Sequence, residues 1–377
     1  MKIIDRYILF HFFQSFFLAY LSLTCVFVVF DFFTNMDEFS RGASQAGGLF
    51  RLAISFYGPQ SLAFLERVLG LLTLSSALFT VAWLQRHNEM TALLAAGISR
   101  LRVVGPILIG AMIAILLGVP LREIVLPQLR DALARTSKDP FGQNGKPIQP
   151  RYDNQTEILF RGKAGFRKDR RISEPSLLLP PELDAYGGQL QAENAYYRPP
   201  QPDRPGGFLL DKMIRPTDLA SQPSLELKGK TVIITPKDAP WLRSDQCFVV
   251  TDMDYDQLAG DRVWLEYSST ATLIRGLHNP SLDLGADVRV RIHSRLVQPI
   301  RDLTLLFLGL PLLLRREQRN VFLALGLGLA IVIVFTTVVL AWEYLGANET
   351  ISPALAAWGP LFIFVPFAAA WLDWIYQ

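Results

Sequence analysis

One acid, Glu89, stands alone in the stretch RHNEMTALLAAGIS (residues 86–99) among small and branched apolar residues. Asn88 is placed to cap a helix and Gly97 to end it, so the spacing predicts about two and a half turns over 87–98. On that helix Glu89, Leu93 and Ala96 share one face, and Met90, Leu94 and Gly97 lie beside it. A solvated turn gains nothing from a carboxylate set in an apolar surface. A helix that docks into a groove does: apolar side chains supply the area, and the acid fixes orientation against a basic group. Ser99 can cap the next helix, with Pro106 tolerated early in it. The bland alternative for Glu89 is a solvated loop carboxylate.

Three further charges could act on a ligand. Arg41, in NMDEFSRGA, is either an interfacial anchor or a contact for an anionic group. Glu66 and Arg67 interrupt an apolar run, where charge is costly and by default faces a cavity. They lie instead at the outer interface if that run enters the membrane later. Catalysis has little support. LELKGKTV offers Gly229-Lys230-Thr231 but has Ser224 where a P-loop needs its first glycine, and GxSxG and HExxH do not occur. The four histidines (His11, His87, His278, His293) are scattered, and Cys25 and Cys247 fall in unlike surroundings, so neither a metal site, a disulfide nor a cofactor is expected.

What must position these residues is a membrane. Half of the 377 residues are hydrophobic and only 19% are charged, with the apolar excess gathered in blocks. A net charge of +3 is too small and dispersed for a nucleic-acid surface. Ile8–Phe33, Leu62–Leu84, Val103–Pro120, Val321–Trp342 and Pro353–Leu372 approach or meet the roughly 20 apolar residues a spanning helix needs. A sixth span requires Leu296–Leu314, with Arg301 and Asp302 snorkelling or facing protein. The first run is too long for a cleavable signal and should stay as a helix. Short-loop Lys and Arg put the N-terminus inside, with Lys2, Arg6, Arg86, Arg100, Arg102, Arg315, Arg316 and Arg319 on that side. Both termini are then cytoplasmic, LLRREQRN is a cytoplasmic turn, and the large polar block lies outside.

That block reads as β. TEILFRG, PSLLLP, GGQLQAENAYYRP, GGFLLDKMI, SLELKGKTVIITP, QCFVVTDMDY and RVWLEYSS are strand-like runs parted by Gly, Pro and Asp. Their spacing suggests a sandwich or jellyroll. The expected organisation is 1–121, three spans with the short helix; 122–293, the β domain with its connection; and 294–377, three more spans.

The loop motif RHNEMTALLAAGIS, the N-terminal IDRYIL, the segment VRIHSRLVQPIRDLTLLFLGLPLLLRREQRN and the 3 + β domain + 3 order together resemble the LptF/LptG (YjgP/YjgQ) permeases, which export lipopolysaccharide from the bacterial inner membrane. The resemblance implies an α-helical membrane protein of six transmembrane helices with an inserted periplasmic all-β jellyroll. It implies pairing with a second LptF/LptG-type permease, a cytoplasmic LptB-type ATPase dimer, an LptC-type helix at the gate and an LptA-type periplasmic bridge. The segment between the second and third spans would be the coupling helix, with Glu89 as its acid and Arg86, Met90, Leu93 and Gly97 around it. Lipid would enter between the first span of one permease and the fifth of the other. Arg41 roughly matches a basic position that contacts lipid phosphate, although Asp37 and Glu38 lie close and a second adjacent basic residue is missing; Glu66 and Arg67 have no counterpart. ATP would be hydrolysed by a partner chain. Two other readings stand beside this one: a membrane-anchored module binding envelope components without transport, and a membrane lipid enzyme, for which no paired carboxylates or nucleophile–base pair can be placed.

Overall fold

The computed structural model describes residues 3–202, 204–259, 262–314 and 321–376. Lys2 and the expected cytoplasmic turn at Arg315, Arg316 and Arg319 lie outside them. The chain forms two compact units. One comprises residues 1–36, 53–128 and 285–377, the other 37–52 and 129–284.

The first unit is helical. Its elements are α1 (Ile3–Thr34), α3 (Leu49–Arg86), α4 (Glu89–Ala95), α5 (Arg100–Pro120), α11 (Ala286–Leu314), α12 (Val321–Ala347) and α13 (Pro353–Tyr376). Among the described residues, five helices are long and apolar enough to cross a membrane: Ile3–Thr34, Leu49–Arg86, Arg102–Gln128, Gly326–Ala347 and Pro353–Trp371. Helix α11, which contains the expected sixth span, is continuous over Ala286–Leu314. Its charges are met by protein: Arg301 reaches Glu343 of α12 at 2.7 Å, and Ser294 donates to the same carboxylate at 2.7 Å. Ile8, Phe12, Leu74, Leu78, Leu84, Val103, Ile107 and Leu306 pack into one core joining α1, α3, α5 and α11. Close approach of α3 to α11 requires a missing side chain at Gly70, where a Cβ would stand 2.5 Å from Asp302 Oδ1.

Helix α5 does not stop at Pro120. The chain continues through a π-helical turn, Leu121–Val125, into α6 (Leu126–Gln128). A wide turn of this kind carries one more residue than an α-turn and lies at functional sites more often than chance would put it there.

The second unit holds α2 (Met36–Ala46), α7 (Arg130–Leu133) and ten strands: β1 (Arg151–Tyr152), β2 (Leu159–Arg161), β3 (Ala164–Phe166), β4 (Arg171–Ser173), β5 (Ser176–Leu178), β6 (Gln189–Arg198), β7 (Gly207–Arg215), β8 (Leu225–Leu227), β9 (Lys230–Ile234) and β10 (Gln246–Val250). All pairings are antiparallel, in the order β1-β2-β5-β6-β7-β10-β9-β8, with β3 and β4 branching from β6. The strands join through hydrogen bonds into one antiparallel sheet. A register shift at Gln191/Ala192 bends β6, so that β5 pairs with its first half and β4 with its second. Phe160, Leu177, Leu190, Phe208, Leu210, Ile233 and Val249 fill the enclosed core.

One expectation needs correction. RVWLEYSS is not a strand: residues Arg262–Tyr267 form α9, between α8 (Tyr255–Ala259) and α10 (Thr270–Leu277). Strand propensity of Val, Trp and Tyr yields here to tertiary packing, which buries Trp264 on one helical side. Ser269 then caps α10, accepting from Thr272 N at 3.2 Å. Arg41 lies on amphipathic α2, whose Phe39 is fully buried while Arg41 is exposed.

Candidate functional site

The segment around Glu89 is built by two chain reversals. Helix α3 ends at Arg86, and Asn88 takes a left-handed conformation (φ 58°) that turns the chain into α4. An N-cap side chain reaches its helix from extended backbone. At this φ the Asn88 side chain makes no cap, contrary to expectation, and its carbonyl alone receives Ala92 N at 3.0 Å. The far end follows the sequence reading. Gly97 has φ +77°, its N–H meets Leu94 O at 3.0 Å, and Ile98 N meets Leu93 O at 3.0 Å. Those two bonds form a Schellman motif, which only glycine enters without cost. Ser99 has the extended backbone of a cap residue, but its carbonyl rather than its hydroxyl accepts from α5, receiving Arg102 N at 3.1 Å.

Helix α4 is therefore two turns long and held at both ends. Met90 is buried in the core with Leu84 and Val103, and Leu93, Leu94 and Ile98 pack against it. The expected role of Met90 as an outward anchor is thus corrected: residues at i, i+3 and i+4 form one stripe, and the stripe with the largest side chains goes to the chain's own core. What faces outward is Arg86, Thr91, Ala92, Ala95, Ala96 and Gly97. Glu89 sits at the margin of this small-residue surface, in the first turn, where the helix dipole favours an acid.

Tyr7 of α1 was not anticipated. Its hydroxyl lies 3.0 and 2.9 Å from the two Glu89 oxygens, so one proton is shared between them. A carboxylate offers about four acceptor sites, so most of the Glu89 acceptor capacity stays open to a cation. Arg86 and His87 flank it; the His87 ring packs on Trp83 with centroids 4.2 Å apart.

Glu66 and Arg67 part company, as neighbours on a helix must. Arg67 is exposed, whereas Glu66 turns inward to Arg122, which stands 3.8 Å away on the π-helical turn. Gln298 of α11 donates to Glu66 at 3.3 Å and accepts from Arg122 Nη1. Arg122 Nη2 donates to Arg295 O at 2.9 Å, and Nε to Glu123 at 3.3 Å. The guanidinium thus ties together α3, the turn after α5 and α11. Sequence reasoning took Arg122 only as the start of the polar block. Its one available signal was a charge two residues past Pro120, at the end of an apolar run.

A family model described as lipopolysaccharide export system permease LptF/LptG matches residues 6–160 and 227–374 of the chain. No curated protein matches it.

Proposed function

Since the chain belongs to the LptF/LptG family of lipopolysaccharide-export permeases, we propose that it is one of two permease subunits in an ATP-driven machine that lifts lipopolysaccharide, or a related glycolipid, from the inner membrane toward a periplasmic bridge. As a multi-pass inner-membrane permease it binds and passes substrate rather than transforming it. In this reading six helices span, both termini and α4 are cytoplasmic, and the β unit is periplasmic. Partners are a second permease, an LptB-type ATPase pair, and LptC- and LptA-type proteins.

One observation carries the proposal: a two-turn helix, locked by a Schellman motif and packed into the permease core through Met90 and Leu93, presents Glu89 beside a surface of small residues. Small residues let another backbone approach closely, and the acid gives that approach an orientation against a basic group. Because the inward stripe is continuous with the core around Leu84 and Ile107, a push on α4 reaches α3 and α5 directly. A two-state gate needs such a rigid link to be biased by a nucleotide-driven partner. Glu89→Lys should abolish export and co-purification of the ATPase while the protein stays membrane-inserted with an unchanged melting temperature. Normal export by that variant would sink the coupling role.

A further inference from the structure

The β unit contains an open cleft of about 760 Å³ that none of the foregoing uses. One wall is the segment from Asp131 to Gln149, the other the turn from Gly165 to Arg170. That volume suits a ligand the size of one or two sugars. The acids on the walls are already engaged. Asp131 pairs with Arg167 at 2.9 Å, and Asp256 binds Arg130 and Arg167, each at 2.6 Å. Asp139 accepts Gln143 N at 3.1 Å and Asn144 N at 2.8 Å, folding the rim. The cations are less occupied: Arg135, Lys168 and Arg170 make no ion pair among the described residues. Asp169, between the last two in sequence, does not line the cleft. The rim also carries Gln143, Asn144 and Gln149, whose carboxamides offer donors and acceptors together, as neighbouring hydroxyls require.

We propose that this cleft binds a phosphorylated saccharide, with Arg135, Lys168 and Arg170 holding phosphate and the Gln143, Asn144 and Gln149 amides reading hydroxyls. Guanidinium groups match phosphate oxygens in bidentate geometry, and lysine adds a mobile point charge. An acidic peptide would use the cations but leave the amide rim without a purpose. The turn bearing Arg167, Lys168 and Arg170 falls outside the residues matched by the family model, so the site is argued from this chain's own residues. That the saccharide is carried on a lipid rests on the permease reading above; the saccharide chemistry does not.

The test is calorimetric titration of the full chain in neutral detergent micelles with glucose 1-phosphate, glucose, inorganic phosphate and a glutamate-rich peptide. In a second arm, intact and phosphatase-treated lipopolysaccharide are presented in the same micelles. Glucose 1-phosphate should bind more tightly than phosphate or glucose, and more weakly as salt rises. Arg135→Gln with Lys168→Gln should lower its affinity at least tenfold, and Arg170→Gln alone severalfold. Lys212→Gln, which removes a lysine paired with Glu193 at 2.9 Å on the same sheet, should leave it unchanged. A loss confined to intact lipopolysaccharide assigns the cleft to a lipid headgroup; a loss in both arms assigns it to sugar phosphates generally. Binding that ignores phosphate or the cleft variants overturns the proposal, as does variant-sensitive binding of the peptide alone. If wild type binds lipopolysaccharide and the cleft variants do not alter this, the cleft proposal fails and the permease reading stands. If wild type binds none, the permease reading fails while the glucose 1-phosphate arm still judges the cleft.

Discussion

Glu89 and Glu66 are both acids on the helical unit, and their surroundings are opposite. Among the described residues Glu89 has one hydrogen-bonding partner, the Tyr7 hydroxyl, and it lies at the edge of an exposed surface. Glu66 is enclosed by Arg122 and Gln298 in a network that links three helices. An acid at the edge of an exposed surface is poised to meet something from outside; an acid set against a buried guanidinium holds its own protein together. Stability and export should therefore separate cleanly between the two.

The largest stability loss should come from Arg122→Ala. It strips the donor from Gln298 and the Arg295 carbonyl and the cation from Glu66 at once, and breaking a buried ion pair costs about 3 kcal/mol or more. Thermal melting in detergent should show it. Met90→Ala should follow, at about 2–3 kcal/mol for a truncated core side chain. It should also reduce export in proportion to melting, because α4 loses its seat. Gly70→Ala drives a methyl into Asp302 and should cost about 1–3 kcal/mol by overpacking, separating α3 from α11 without touching Glu89. Tyr7→Phe sits at the other extreme. It should lower stability by less than about 1 kcal/mol, yet reduce export measurably because Glu89 loses its orientation. Equal melting losses for Arg122→Ala and Tyr7→Phe would erase the distinction. A separate effect concerns the β unit and shows only in alkali. Burial pushes the Cys247 thiol from an ordinary 9.0 up to about 12. The protonated thiol is thus favoured in the fold, and the stability it contributes is intact below pH 9 and lost as pH rises from 9 through 12. Maleimide should label Cys247 only on unfolding or in strong alkali.

Local signals told the truth where local physics decides. The Gly97 helix end was legible because a left-handed residue after an apolar run has few alternatives, and the main strands β5, β6, β7, β9 and β10 were legible from apolar runs between turn residues. Partnerships across the fold were not. Tyr7 and Glu89 are 82 residues apart, and Glu66 and Gln298 are 232 apart; nothing in either neighbourhood marks the other. Met90 was misplaced for a related reason. Periodicity identifies two adjacent stripes on a short helix but not which one the rest of the chain will cover. Helix α9 was lost to side chains that favour strands, since six residues give too little periodicity to overrule them.

The π-helical turn at Leu121–Val125 has a mechanical consequence. An unbroken helix advances about 1.5 Å and rotates about 100° per residue, so the surplus residue sets the phase of everything beyond it. Removing one of residues 123–125 would turn what lies beyond by about 100°, slightly more than a quadrant, against the junction that Arg122 holds. The stretch behaves as a spacer whose length, more than its composition, keeps the junction aligned.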